Sequence, residues 1–270
     1  MYNFNYQKAK SLAEASGALG KSEDVKLLAG GMTLIPTLKQ RLAKPSDLID
    51  LGGLPELKGI KREGDTIVIG AMTRHIDVAE SAEVKKAIPA LAQLAHMIGD
   101  PAVRNRGTIG GSISNNDPAA DYPAAVVALN ATVITNQRKI PGEQFFTGMF
   151  ETALKPDEIV TAVSFPACDK ANYQKFRNPA SRYAIVGVFV AKTKDGVRVA
   201  VTGAGPAVFR QKDMEAALAK NFSADALKDV KQAAGGLNAD IHASAEYRAH
   251  LVGVMARRAV QAADLAANLQ

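Results

Sequence analysis

A chain of 270 residues, 47% hydrophobic and 22% charged, has the apolar content for a sizeable core and is not a disordered tract. No run of roughly eighteen apolar residues is present to serve as a transmembrane helix. The net charge of +6 is scattered among acidic residues, with few aromatics and no Trp, which argues against a nucleic-acid partner and for a mildly basic surface facing an acidic one. The start, Met1-Tyr2-Asn3-Phe4-Asn5-Tyr6-Gln7-Lys8, lacks the basic and then apolar pattern of a secretory signal, so a cytoplasmic location is expected. Cys168 is the only cysteine. An iron–sulfur cluster, which needs about four thiolates, therefore has to sit on another subunit.

In chain order, residues 26–29 read as a short buried strand that Gly30-Gly31-Met32 breaks. Thr33 is placed to cap a helix through Ile35, Leu38 and Leu42, with Pro36 tolerated in its first turn. Residues 48–51 and 66–70 read as further strands, so the chain opens on a small β-α-β arrangement. Helical spacing follows over 73–79 and 84–98, where Ile88, Leu91, Leu94, Ala95 and Ile98 share a face and Gly99 is the stop. Residues 100–117, dense in Gly, Asn, Ser and Pro, are expected to form a long irregular loop and hence a functional segment. Asp117-Pro118 opens a helix over 119–129; strands are expected at 131–135 and 158–165. The expected boundary at 166–170 leaves a first domain over 1–168, with lobes of about 1–57 and 58–168, and a second over 171–270. In the second, 183–192 and 197–204 flank the hairpin signal Asp195-Gly196. Helices are expected over 212–220, 223–234 and 244–269, the last with Tyr247, Leu251, Met255, Ala259, Ala262 and Leu265 on one stripe.

Two glycine loops carry the chemistry. Ala29-Gly30-Gly31-Met32-Thr33 joins a strand to a helix, which presents free N–H groups and the positive end of a helix dipole to an anion such as a pyrophosphate. A side chain there would hold phosphate oxygens away from the amides, and such turns often need positive φ. The stretch from Arg106-Gly107-Thr108-Ile109-Gly110-Gly111-Ser112 to Asp117 repeats paired glycines followed by a hydroxyl residue. Taken singly, each loop is better read as a plain tight turn; together they can clasp one diphosphate from two sides. Neither carries the Gly-Lys-Ser/Thr of a triphosphate-hydrolysing loop, and Gly203-Ala204-Gly205-Pro206 lacks the rest of a dinucleotide fingerprint. No catalytic residue and no metal site is expected, and His75, His96, His242 and His250 read as structural.

In their order, Leu28-Ala29-Gly30-Gly31-Met32-Thr33, Val103-Arg104-Asn105-Arg106-Gly107-Thr108-Ile109-Gly110-Gly111-Ser112 and Asp117-Pro118-Ala119-Ala120-Asp121 closely resemble the medium, FAD-binding subunit of carbon monoxide dehydrogenase and its xanthine dehydrogenase relatives, the molybdenum hydroxylases. The likeness continues through Phe145-Phe146-Thr147-Gly148, Asp157-Glu158-Ile159 and Asp240-Ile241-His242-Ala243-Ser244-Ala245-Glu246-Tyr247-Arg248, and so spans nearly the whole chain. It implies an α+β fold, with two small mixed lobes that sandwich FAD followed by a C-terminal three-stranded antiparallel sheet with a helical bundle. It implies that Lys26, Leu27, Leu28, Ala29, Gly30, Gly31, Met32, Thr33 and Leu34 hold the pyrophosphate together with Thr108, Ile109, Gly110, Gly111, Ser112, Asn115 and Asp117. Met32 departs from the family's usual polar residue, which leaves only backbone contacts at that position.

The resemblance also gives Asp121 a role as acceptor on the flavin's sugar-like chain, where the residue alone reads as a solvated first-turn carboxylate. Ile159 and Val160, equally good core residues, supply apolar or backbone contacts, and Lys175 or Arg177, otherwise solvated charges, approaches the isoalloxazine. Tyr183 covers one ring face, with a core tyrosine as the competing reading. The implied function is electron relay, because a flavin suits the junction between a one-electron iron–sulfur chain and a two-electron acceptor. Molybdopterin on a large subunit, 2Fe-2S clusters on a small one, a dimer of heterotrimers and an external acceptor complete the expectation. The rivals are a stand-alone flavoprotein reductase and a non-enzymatic nucleotide-binding protein.

Overall fold

The computed structural model describes residues 1–168 and 170–267, the side chains of 265–267 excepted. Its first lobe runs β1 (Asn5–Lys8), α1 (Leu12–Leu19), β2 (Val25–Leu28), α2 (Leu34–Lys39) and β3 (Asp47–Asp50). The strands form a parallel sheet in the order β1-β3-β2. Central β3 buries Leu48 and Ile49 on successive positions, as expected for a parallel strand covered on both faces. The third strand of this lobe is β1 rather than residues 66–70, and its four exposed residues give no alternation to read. The first helix is capped by Ser11, whose hydroxyl accepts from the Glu14 amide. Thr33 stands at the N-cap of α2 without a capping side-chain bond. That helix stops short of Leu42, because Arg41 turns left-handed at φ 60.

The second lobe contains β4 (Ile60–Glu63), β5 (Thr66–Gly70), α3 (His75–Glu80), α4 (Ala82–Ala87), α5 (Pro89–His96), α6 (Pro101–Arg104), α7 (Ile109–Asn115) and α8 (Tyr122–Ala128). After these come β6 (Thr132–Thr135), β7 (Lys139–Pro141), α9 (Gly142–Phe145), β8 (Phe146–Gly148), β9 (Glu151–Thr152) and β10 (Val160–Pro166). Its antiparallel sheet has the order β4-β5-β10-β6-β7. The single helix expected over 84–98 is two, since Ile88 precedes Pro89 and is pushed to φ −148. The irregular loop expected over 100–117 is largely helical: Asp100 and Thr108 cap α6 and α7 by accepting from the Val103 and Gly111 amides. Its loop-like composition is cap chemistry plus glycines needed for close approach. A Cβ on Gly110 would meet the Ala71 Cα at 2.9 Å.

The C-terminal part contains β11 (Ala171–Arg177), β12 (Ala184–Thr193), β13 (Gly196–Thr202), β14 (Phe209–Arg210), α10 (Lys212–Lys220) and α11 (Ala245–Ala267). The antiparallel sheet is present, with a two-residue fourth strand, β14, added to the three expected. Val186, Val188 and Val190 of β12 pack on α11 through Leu251, Val252 and Met255. On the opposite face, Tyr173 and Phe189 join the core of the second lobe. Covered on both sides, β12 is buried along its first eight residues. The helix expected over 223–234 is only a 3-10 turn, Ala224–Leu227. Beyond it Val230 is the one large apolar residue before Gly235-Gly236, too little to hold an isolated helix. The helical bundle thus reduces to α10, α11 and that turn. Leu251, Met255 and Ala259 of the expected stripe are buried, whereas Tyr247 is exposed. The side chain of Leu265 and the helix end at 269 lie outside the described residues. Among these residues no helix is long and apolar enough to cross a membrane.

Candidate cofactor cleft

The turn between β2 and α2 and the turn between α6 and α7, far apart in sequence, touch backbone to backbone. A Cβ on Gly30 would overlap the Arg106 carbonyl and meet the Gly107 Cα at 2.8 Å. Gly31 holds φ +75, a conformation L side chains rarely adopt. A Cβ on Gly111 would lie 3.6 Å from that of Ala29. The two loops form one wall of a cleft of about 670 Å³, a size suited to a small organic ligand.

The loops are not equivalent donors. The amides of Gly30, Gly31, Met32, Thr33 and Leu34 donate to no acceptor among the described residues. In the second loop, Ile109 N–H donates to Thr73 O at 3.1 Å and Gly110 N–H to Ala71 O at 2.8 Å. Gly111 N–H donates to Thr108 Oγ1 at 3.2 Å. The second loop therefore docks on the segment 71–75 through its own amides. Ser112 and Asn115 are the polar residues of its helix that line the cleft together with Ser114. A run of bare amides at the start of a helix is the arrangement that receives a phosphate group.

Of the residues singled out from the sequence, the cleft is lined by Lys26, Leu27, Ala29, Gly30, Gly31, Met32, Thr33, Leu34, Thr108, Gly110, Gly111, Ser112, Asn115, Asp117, Asp121, Ile159, Val160 and Tyr183. Leu28, Ile109, Lys175 and Arg177 do not line it. Leu28 ends β2 and faces Gly31 from behind, and Ile109 is fully buried in the second lobe's core. Arg177 is exposed at the end of β11. Lys175 is sealed beneath the cleft, its ammonium 3.0 Å from Asp121 Oδ2 and 3.0 Å from Met97 O.

Asp121 is correspondingly not a solvated carboxylate. It is buried, and its other oxygen accepts the Tyr173 hydroxyl. Burial raises the Asp121 carboxyl, opposed by the charge of Lys175, by hydrogen bonds from Tyr173 and Lys175, and by the charge of Arg177. Gly187 makes this triad possible, since a Cβ there would overlap the Tyr173 hydroxyl. Tyr183 is half-exposed at the cleft rather than in the core.

Sequence reasoning missed several lining residues, among them His75, Lys155 and Glu158. Glu158 ties the floor together. Burial pushes its carboxyl up, but bonds from Arg138, the Lys155 amide and Thr135 outweigh that and hold it at about 2. The Asp157-Glu158-Ile159 motif was its only signal; Lys155 had none.

Paired glycine loops, bare amides and a long cleft define a protein that binds a nucleotide diphosphate. The chain belongs to the family described as the FAD binding domain in molybdopterin dehydrogenase, which matches residues 2–168, and residues 171–263 match the CO dehydrogenase flavoprotein C-terminal domain. It is 36% identical to the carbon monoxide dehydrogenase medium chain of Hydrogenophaga pseudoflava over 96% of each chain. To the nicotine 6-hydroxylase medium subunit of Paenarthrobacter nicotinovorans it is 35% identical over 94% of this chain and 95% of the other. Among solved structures, the Hydrogenophaga pseudoflava carbon monoxide dehydrogenase lacking the Mo-pyranopterin moiety of its cofactor superposes with a TM-score of 0.89, at 36% identity and 98% coverage of both chains. The chain is thus an FAD-binding medium subunit of the molybdenum hydroxylase oxidoreductases, as its motifs implied.

Proposed function

We propose that the chain relays electrons from 2Fe-2S clusters on a small partner subunit, through FAD, to an external acceptor. The observation that carries this reading is the run of unpartnered amides from Gly30 to Leu34 set against the second glycine loop. Hydrogen bonds to a charged group contribute about 1.5–3 kcal/mol each, so a few such donors suffice to hold a diphosphate. The residues present fit FAD: glycines leave room for the phosphates, Ser112 and Asn115 add polar contacts, and Ile159 and Val160 add apolar surface. Asp121 offers an acceptor that Lys175 balances from beneath, with Arg177 close enough to act on it through its charge, and Tyr183 offers an aromatic face. When bound, FAD exchanges electrons singly with an iron–sulfur chain and in pairs with a two-electron acceptor.

In this reading residues 1–168 hold the cofactor in two lobes, 1–57 and 58–168, and residues 171–270 form a second domain that supplies Tyr173 and Lys175. Molybdopterin sits on a large partner subunit that oxidises the substrate. The assembly is a cytoplasmic dimer of heterotrimers.

The test is purification of the complex through a tag on this chain, with flavin, molybdenum and iron assayed together. The expected result is FAD with both metals. Reductive titration should reduce the flavin absorbance and the iron–sulfur electron paramagnetic resonance signals in one equilibrium. A metal-free flavoprotein that turns over by itself would refute the relay.

A further inference from the structure

His75 is a polar group of the cleft that the pyrophosphate cradle does not use. It opens α3, and its amide donates to Gly107 O at 3.0 Å, which sets the ring against the second glycine loop. His75 lines the cleft although it is only 4% exposed. Gly107 is glycine for this reason: a Cβ there would meet His75 Nε2 at 2.5 Å.

No side-chain hydrogen bond of His75 forms among the described residues, and Nδ1 is sealed from solvent without a partner. Its surroundings are similarly incomplete. Four buried side-chain atoms lack a partner among the described residues, and three of them are His75 Nδ1, the Tyr122 hydroxyl and Arg104 Nε. The Tyr122 ring centroid is 5.4 Å from that of His75. Arg104 braces the same wall by donating to Ile98 O and Gly99 O. Sealed in this way, these three atoms fit an ordered water, whereas His75 Nε2, which has no partner among the described residues either and is not one of the sealed atoms, is the ring nitrogen left to meet a ligand in the cleft.

The neighbourhood indicates which part of the ligand is involved. Ile98 and Gly99 line the cleft directly after Met97, whose carbonyl accepts from Lys175, the partner of Asp121. Tyr122 follows Asp121 in the chain. His75 therefore stands where the second loop, whose Gly107 abuts Gly30 of the first, meets the wall that leads to Asp121.

We propose that His75 is a further cofactor-binding residue, whose Nε2 makes a hydrogen bond to a polar atom on the flavin half of FAD; this rests on the FAD reading above. Burial and the Arg104 charge keep the ring neutral, holding it down at about 4. It thus offers Nε2 to the ligand without altering the net charge beside the flavin.

The experiment uses the tagged native complex and its His75→Phe and His75→Gln variants. Three quantities are measured: FAD affinity after stripping and reloading, the flavin midpoint potential and visible spectrum, and ADP affinity of the stripped complex. His75→Phe is expected to weaken FAD about tenfold, the effect of one neutral hydrogen bond, and to shift the flavin spectrum or potential. His75→Gln should recover most of the affinity, and ADP affinity should be unchanged in both. FAD affinity, spectrum and potential all unchanged in His75→Phe would overturn the assignment. So would an equal loss of ADP and FAD binding, which marks a role in folding or at the phosphates. Wild-type complex that neither contains nor takes up FAD would instead overturn the FAD reading itself.

Discussion

Gly30→Ala adds one methyl group where two loops meet, and its effect follows from the geometry. The new carbon would lie 2.7 Å from the Arg106 carbonyl carbon and 2.8 Å from the Gly107 Cα, where ordinary contacts begin at 3.4 Å. These are backbone atoms, so no rotamer relieves the clash and the loops must part by more than half an ångström. Overpacking of this kind costs about 1–3 kcal/mol. For a chain of this size that is a fall of about 4–8 °C in Tm at a cost near 2 kcal/mol. The same parting moves the bare amides off their common target, and losing one charge-assisted bond lowers FAD affinity about 10–100-fold. The assay is flavin per polypeptide together with a thermal melt. Two matched methyl additions calibrate it. Gly111→Ala meets nothing closer than Thr108 Oγ1 at 3.0 Å and should lose far less in Tm, although its methyl group stands at the cleft. Gly17→Ala, with nothing within 4 Å in an exposed part of α1, should gain about 0.5–1 kcal/mol. Wild-type flavin content and Tm in Gly30→Ala would refute the claim that the loops are in bare contact.

Lys175→Met strands the buried Asp121 carboxylate and should cost about 3–5 kcal/mol in urea unfolding, much of it recovered by adding Asp121→Asn. Asn116 sits at φ 43, and its side chain donates to Gly148 O at 2.8 Å and Glu151 O at 2.7 Å. Asn116→Ala should therefore cost about 2–4 kcal/mol by thermal melt, and Asn116→Gly less because the backbone strain goes. The Glu158 carboxyl is held at about 2 against an ordinary 4.5, so its stabilising effect is complete above pH 4.5 and lost as pH falls toward 2. The urea midpoint of the wild type should fall across that window more steeply than that of Glu158→Gln; parallel curves would contradict the assignment.

Where local chemistry decides, the sequence was readable. The β-branched run at 66–69 forms β5, Asp195-Gly196 turns the hairpin of β12 and β13, and residues 212–220 form α10 as spaced. The glycine pairs announced the cleft because small residues in that order have few other uses. What stayed hidden depends on partners distant in sequence. The strand β1 shows no pattern because all four residues are exposed at a sheet edge. Residues 100–117 resemble a loop because caps and glycines are the vocabulary of loops, yet here they begin helices. The inequality of the two cradles arises from the segment 71–75, which takes the Ile109 and Gly110 amides. Asp121 reads as solvated until Tyr173 and Lys175 arrive from β11 to seal it.

That last junction bears on how such chains can be recombined. The part matching one family model, residues 2–168, contributes the anion, and the part matching the other, residues 171–263, contributes the cation that neutralises it. Grafting either half onto a distant cousin would leave an ion stranded in oil unless the graft restored its opposite. The two segments are therefore coupled in energy, held together less by the thread of peptide between them than by a shared neutralisation of charge.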